Sequence, residues 1–281
     1  MNSENIRSNR KKYIKSAIVL LIVITLLLFC NFQNKHLETT HYTYEAEQLG
    51  VDLDGYRIVQ ISDLHNAKFG KNNQKLVDRI RECAPDMIVL TGDLVDSNHT
   101  NVDRAVQFVN EIVKICPVYY VTGNHEYWLD TSEYENLMDG VASAGVIILD
   151  NQVVEISRWD AKFRLVGLDD KSLADGTLEA LLSDEKELTV VLAHEPQYLA
   201  RYAGTGVDLV LSGHAHGGQF RLPFVGGIVA PDQGFLPEYT AGEYYMNGTE
   251  MIVSRGLGNS VIPVRLFNYP EIVCVDLVGK H

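Results

Sequence analysis

Past residue 56 the chain alternates short unbroken apolar runs with longer segments whose apolar positions recur every three or four residues. Residues 57–62 (RIVQIS), 86–91 (DMIVLT) and 118–122 (VYYVT) predict buried strands. Between and after them, 71–83 places Leu76, Val77, Ile80 and Cys83 on one helical stripe, and 101–115 places Val102, Val106, Val109 and Val113 on another. Residues 133–144 bring Tyr134, Leu137, Met138 and Val141 to a third. This order predicts a largely parallel sheet covered by helices. The second half is richer in strand: 146–149, 153–156, 163–167, 188–193, 208–212, 219–222 and 272–277, with 243–246 and 249–254 joined by Asn247-Gly248, a two-residue hairpin signal. That many strands predict two sheets packed face to face with helices outside. Nothing between 41 and 281 reads as a linker.

The first 40 residues follow another pattern. Residues 16–32 are almost wholly apolar and, with Tyr13 and Ile14, reach about the 20 residues that a helix needs to cross a bilayer. Arg7, Arg10, Lys11, Lys12 and Lys15 all precede the run, which predicts a cytoplasmic N-terminus and a body outside the cell membrane. No small-x-small site follows Phe29, which favours an uncleaved anchor over a cleaved signal peptide. The expected organisation is a basic tail (1–12), a transmembrane signal anchor (13–32), a short polar tether (33–40) and one folded domain (41–281).

Charge sharpens this division. The 281-residue chain carries −13 overall, but its first 35 residues carry +5 and the remaining 246 therefore −18. An acidic body argues against sequence-independent binding of nucleic acid through a basic face. It can still accept one phosphate group where cations cancel the local charge. Cys83, Cys116 and Cys274 in the body are too few for a disulfide framework; Cys83 and Cys116 read either as free thiols or as a pair.

Five predicted strands end alike, in a small residue or Thr followed by a side chain that can bind metal. They read IVQIS-Asp63-Leu64-His65, MIVLT-Gly92-Asp93, VYYVT-Gly123-Asn124-His125, TVVLA-His194 and DLVLS-Gly213-His214-Ala215-His216. A single strand-end Asp is usually a turn former, and a single His a satisfied polar group. Five of the nine His at the ends of five strands are not explained by turn chemistry. Ligands gather at the carboxyl ends of strands in open α/β sheets, so these ends are expected to converge on one crevice. Gly92, Gly123 and Gly213 are expected to let the backbone turn as each strand ends.

The blocks Asp63-x-His65, Gly92-Asp93, Gly123-Asn124-His125-Glu126, His194 and Gly213-His214-x-His216 closely resemble, in order, those of the calcineurin-like metallophosphoesterase superfamily. The runs 217–219, 231–234 and 254–259 resemble its membrane-anchored bacterial branch. The resemblance implies a four-layer αββα sandwich of two mixed sheets flanked by helices. It also implies two divalent metal ions, one held by Asp63, His65 and His216, the other by Asn124, His194 and His214, with Asp93 between them. Mixed carboxylate, amide and imidazole ligands suit Mn, Fe or Zn. A water shared by two such ions loses its proton near neutral pH and attacks the phosphorus of a diester or monoester. The resemblance gives His125 either the protonation of the leaving group or the stabilisation of the transition state, and we expect Asp63 to orient it. Glu126 is expected to support its loop, and Arg255 to form an ion pair rather than clamp phosphate. Asp169-Asp170 read as a turn and His99 as solvated, while Tyr239, Tyr244 and Tyr245 are open between a substrate wall and a membrane-facing surface. The implied partner is a phosphate ester, lipid-linked or envelope-linked, met at the membrane surface. A pyrophosphatase of a lipid-linked nucleotide sugar and a non-catalytic scaffold are the alternatives.

Overall fold

A computed structural model describes residues 3–46, 49, 51–171, 176–182 and 187–279. Its strands are β1 (Glu38–Ala46), β2 (Tyr56–Ile61), β3 (Met87–Thr91), β4 (Val118–Val121), β5 (Ile147–Ile148), β6 (Gln152–Arg158), β7 (Ala161–Gly167), β8 (Thr189–Leu192) and β9 (Leu209–Ser212). Four two-residue strands follow, β10 (Arg221–Leu222), β11 (Gly226–Gly227), β12 (Val229–Ala230) and β13 (Gly234–Phe235), then β14 (Gly242–Met246), β15 (Thr249–Val253) and β16 (Glu271–Gly279). The helices are α1 (Ser3–Lys35), α2 (Gln74–Glu82), α3 (Val102–Ile112), α4 (Asn124–Tyr127), α5 (Thr131–Ser143), α6 (Thr177–Leu181) and α7 (Leu199–Tyr202).

Two six-stranded mixed sheets result, in the orders β1-β16-β2-β3-β4-β5 and β14-β15-β9-β8-β7-β6. In the first, β2, β3, β4 and β5 run parallel, while β16 runs antiparallel to β2 and parallel to β1. In the second, β7, β8, β9 and β15 run parallel, with antiparallel hairpin strands at both edges. One face of each sheet packs on the other through Ile58, Val89, Phe163, Val190, Leu209 and their neighbours. The opposite face of the first sheet takes α2, α3 and α5, and that of the second takes α7 and the loops around it. Each sheet is therefore buried on both sides, which is why the central strands read as unbroken apolar runs. The four-layer expectation holds.

Helix starts follow local chemistry. The side chain of Asn101 accepts from Arg104 N before α3, and that of Asp130 from Glu133 N before α5. Each such cap is worth about 1 kcal/mol. The stripe predicted for α3 is rotated: Ala105, Phe108, Val109 and Ile112 are its buried residues, whereas Val102, Val106 and Val113 are half-buried. Phe108 took the core position because an aromatic side chain buries more apolar surface than valine.

The segment 33–40 is not a slack tether. Helix α1 continues through it to Lys35, Gln33 is buried, and Asn34 both donates to Pro263 O (2.8 Å) and accepts from Arg265 N (2.9 Å). Strand β1 then starts at Glu38 and pairs with β16 over nine residues. Its alternating polar face hid it in the sequence: as an edge strand it buries little. All four cysteines are free, and the Cys83 thiol lies against Cys274 rather than Cys116.

Candidate metal centre

The carboxyl ends of β2, β3, β4, β8 and β9 meet at one edge of the sandwich. All seven side chains expected as ligands are gathered there, each less than one-tenth exposed. His65 Nε2 lies 3.2 Å from His216 Nε2 and 3.4 Å from Asp93 Oδ2, and Asp63 Oδ1 lies 3.7 Å from His216 Nε2. On the other side of Asp93, its Oδ2 is 3.3 Å from His194 Nε2; His194 Nε2 and His214 Nδ1 are 3.1 Å apart, and both lie within 3.1 Å of Asn124 Oδ1. Two donor sets thus share one carboxylate oxygen.

The backbone at this edge is unusual. Asp63, His65, Asp93, His214 and His216 all have φ between 44° and 64°. Non-glycine residues in this left-handed region cost about 1 kcal/mol or more each and cluster where function requires them. The turns are therefore made by the metal-type residues themselves. Of the three glycines, only Gly92 (φ 88°) serves as expected. Gly123 and Gly213 have no positive φ; a Cβ at Gly123 would strike the Asp93 carboxylate, and one at Gly213 would strike Ser62 and Asp63. Their contribution is an absent side chain.

Hydrogen bonds lock Asp63, Asp93, His194 and His214. Asp63 accepts from His214 N at 3.0 Å, and His194 Nδ1–H donates to Thr91 O at 2.8 Å, so each sheet fastens a residue of the other. The second bond fixes the tautomer that leaves the His194 Nε2 lone pair facing inward. His214 Nε2–H donates to Asp232 at 2.9 Å and leaves Nδ1 inward by the same logic. Asp93 Oδ1 accepts from His125 N at 2.9 Å. Beneath the site Gln60 bridges the sheets, donating to Thr91 Oγ1 and Ser212 O.

The electrostatics call for positive charge. Burial pulls His65 well below its usual pKa and His216 down to about 4, so both are neutral with lone pairs available. Burial opposes a charge on His194 too, but the Asp93 carboxylate outweighs it and raises that pKa. Asp93 is likewise held far below the usual carboxylate range by His194 and His65 despite burial. Protein protons thus compensate Asp93 where cations would. Imidazole nitrogens 3.1–3.2 Å apart can share at most one proton, whereas a divalent ion between them satisfies every lone pair. The donor set fits metal.

His125 lies beside the first group, its ring centroid 4.5 Å from that of His65. Asp63 does not orient it, contrary to expectation, because both Asp63 oxygens accept from His214 N. Ser97 takes that place: its backbone N–H donates to His125 Nδ1 at 3.1 Å. Nδ1 is therefore an acceptor, and the neutral ring carries its proton on Nε2, which faces Ser260 Oγ at 3.1 Å.

Glu126 supports its loop as expected. Its carboxylate accepts from the backbone N–H of Asp93, Leu94, Val95 and Gly123. Arg255 pairs with Glu38 (2.9 Å) and Glu271 (2.7 Å), clear of a phosphate role. Asp169 accepts from Tyr127, His99 is exposed, and Tyr244 turns its hydroxyl to the backbone of Thr240. His36, read as part of the tether, packs on Phe32 and Tyr269, and His281 lies outside the described residues.

Four contributors escaped sequence reasoning. Asp232 and Arg265 come from distant loops, and Ser97 and Ser260 are ordinary loop serines by type. Arg265, fully buried, donates to Arg255 O and Asn259 Oδ1 and so shapes the 255–259 loop, whose Leu257 and Gly258 amides donate to Asp63 O. Only the run at 231–234 had marked one of them.

Residues 56–218 match the calcineurin-like phosphoesterase family, and the chain belongs to it: a hydrolase of phosphoester bonds. It is 33% identical over 257 residues to the metallophosphoesterase YkuE of Bacillus subtilis, covering 87% of each chain. It is 31% identical over 228 residues to the phosphodiesterase YaeI of Escherichia coli, covering 79% of this chain and 82% of the relative. A zebrafish (Danio rerio) transmembrane protein with a metallophosphoesterase domain is 29% identical over 257 residues, 83% of this chain and 55% of its own. A dimetal phosphatase structure from Danio rerio superposes with a TM-score of 0.46 at 14% identity, over 73% of this chain and 88% of that one.

Proposed function

We propose that the protein is a membrane-tethered, dinuclear metallophosphoesterase. The observation that carries this reading is the pair of donor sets meeting at Asp93 Oδ2. Asp63, His65, Asp93 and His216 would hold one divalent ion, and Asp93, Asn124, His194 and His214 the other. Bound there, Mn, Fe or Zn would supply Lewis acidity toward the phosphate oxygens and toward water.

The chain's own part follows from the hydrogen bonds. Ser97 N keeps His125 Nδ1 unprotonated, so the ring proton sits on Nε2 at the mouth of the site. From Nε2–H the neutral ring donates a hydrogen bond to the departing ester oxygen and so stabilises the charge that builds there in the transition state. Ser260 Oγ holds the ring until substrate arrives. The Asp93 carboxylate keeps its orientation because His125 N and the Glu126-bound turn fix it from behind.

Helix α1 supports the tether. The stretch Arg10–Lys35 is apolar and long enough to cross a membrane, and Arg7, Arg10, Lys11, Lys12 and Lys15 all precede its apolar run at 16–32. On this reading the N-terminus is cytoplasmic and the body, from β1 onward, is the catalytic domain outside. The retention of all seven donors and His125 in register argues against a non-catalytic scaffold.

The test is hydrolysis of p-nitrophenyl phosphate and bis(p-nitrophenyl) phosphate by the purified full chain, with Mn supplied, after chelation, and after Mn is restored. Activity that vanishes and returns, with about two ions per chain by elemental analysis, is the expected result. Turnover indifferent to chelator refutes the reading.

A further inference from the structure

Two cavities flank the proposed centre and meet at Ser260. One, of about 270 Å³, is almost wholly apolar: His216 forms its inner end, and Val229, Ala230, Pro231, Val261 and Ile262 form its walls. The other, of about 330 Å³, is half polar and is lined by His65, Asp96 and Asn259 and by Asn31, Asn34 and Lys35 at the end of α1. His125 Nε2–H donates to Ser260 Oγ, which puts that proton where the two join.

The apolar cavity is tied to the membrane-type helix. Asn34 of α1 is hydrogen-bonded to Pro263 O and Arg265 N, so the strand of chain that forms the wall at 261–262 leaves directly from the helix. Phe29 packs on Phe267 (6.1 Å between centroids) and Phe32 on Tyr269 (6.0 Å). Phe267 in turn follows Leu266, whose carbonyl accepts from Arg221 N, which joins the β10–β11 ribbon to the same surface. That ribbon and β13 expose Phe224, Val225, Phe235 and Leu236, and the rim itself exposes Val261 at 86%. Exposed large apolar side chains crowded beside an apolar helix mark a lipid-contacting face.

We infer that the substrate is a lipid phosphoester drawn from the bilayer that α1 spans, with its hydrocarbon chain in the Val229–Ile262 cavity and its polar group in the groove toward Asn34. This rests on the phosphoesterase reading above and assigns that site a substrate class. Continuity selects the occupant: His216 of the proposed centre and Val261 and Ile262 of the helix-linked segment line the same cavity. A water-soluble phosphoester would leave the cavity walls unused.

The experiment uses the full chain in phosphatidylcholine nanodiscs with Mn supplied. Its probes are n-alkylphosphonates from methyl to hexyl, short enough to stay largely in water, with empty nanodiscs as the blank. Dissociation constants come from calorimetry, and inhibition constants from p-nitrophenyl phosphate turnover. Each methylene entering an apolar cavity tightens binding about three- to fourfold. A total tightening beyond about tenfold from methyl to hexyl, lost in Val229→Asp, supports the inference. A smaller change in the unaltered protein overturns it, and so does a folded Val229→Asp protein that keeps the full dependence. If the series behaves as expected but no p-nitrophenyl ester is turned over, the phosphoesterase reading fails and the cavity assignment stands. Turnover with a flat series gives the reverse.

Discussion

Glu126 offers a test of the site's scaffold that does not depend on catalysis. Its side chain is fully buried, and its two oxygens receive four backbone N–H groups, from Asp93, Leu94, Val95 and Gly123, at 2.8–3.3 Å. Burial and the Asp93 charge push its pKa up to about 8, against the pull of the N–H groups of Gly123 and Asp93. The geometry points the other way: the four donors occupy both oxygens and leave no direction for a carboxyl proton, so we take the group as a carboxylate. In Glu126→Gln one oxygen becomes an NH₂ that faces two of those donors, whichever way the amide turns. Two orphaned buried N–H groups cost about 1–3 kcal/mol each, so the expected loss is about 4 kcal/mol. That is a large part of the about 5–15 kcal/mol that holds a domain folded, and it lowers Tm by about 8–16 °C. Because the lost bonds anchor the turn that carries Asp93, bound metal should fall in parallel. Differential scanning calorimetry and elemental analysis of the full chain read both. A Glu126→Gln protein within about 1 kcal/mol of the unaltered one, with metal intact, would mean that the carboxyl is already protonated and the reasoning wrong.

Three further outcomes follow from particular contacts. His125→Ala should retain metal, since no proposed ligand is removed, but lose about 10²–10³ in kcat on p-nitrophenyl esters; loss of metal instead would make His125 a ligand. Asp232→Ala removes the acceptor that fixes the His214 tautomer and should weaken metal binding about 10–100-fold, read by competition with a chromogenic chelator; an unchanged affinity would leave His214 oriented by other means. Asp150 is raised from 3.8 to about 6, chiefly by burial and against its bonds from Thr122, so its folded form resists ionising: the penalty is absent below pH about 4 and complete above about 6. Asp150→Asn should therefore gain stability relative to the unaltered protein as pH rises through that window, by at most about 3 kcal/mol in urea titrations; a constant difference from pH 4 to 7 would refute the shift.

What the sequence disclosed and what it hid divide along one physical line. Asp63, His65, Asp93, Asn124, His194, His214 and His216 were legible because each closes an apolar run, and parallel strands put such ends at one edge. Strand polarity alone thus brings residues 153 positions apart, Asp63 and His216, onto one point. The groups that hold those residues still were not legible. Ser97 and Ser260 grip His125 from two loops, Asp232 reaches His214 from a third, and buried Arg265 builds the loop over Asp63; none of these pairings has a period or a spacing. Strand β1 was missed for the same reason: its pairing with β16 spans the length of the chain, and its own pattern is that of an edge. The glycines show the point most sharply. Gly123 and Gly213 were read as backbone hinges, a local property, yet each is small because a residue from elsewhere fills the space where its Cβ would be, Asp93 for one and Ser62 for the other. Local patterns therefore located the metal-type side chains, while the contacts that orient them came from close approach between segments far apart in the chain. Variants at Ser97, Asp232 or Arg265 should accordingly act through the position of His125, His214 or Asp63.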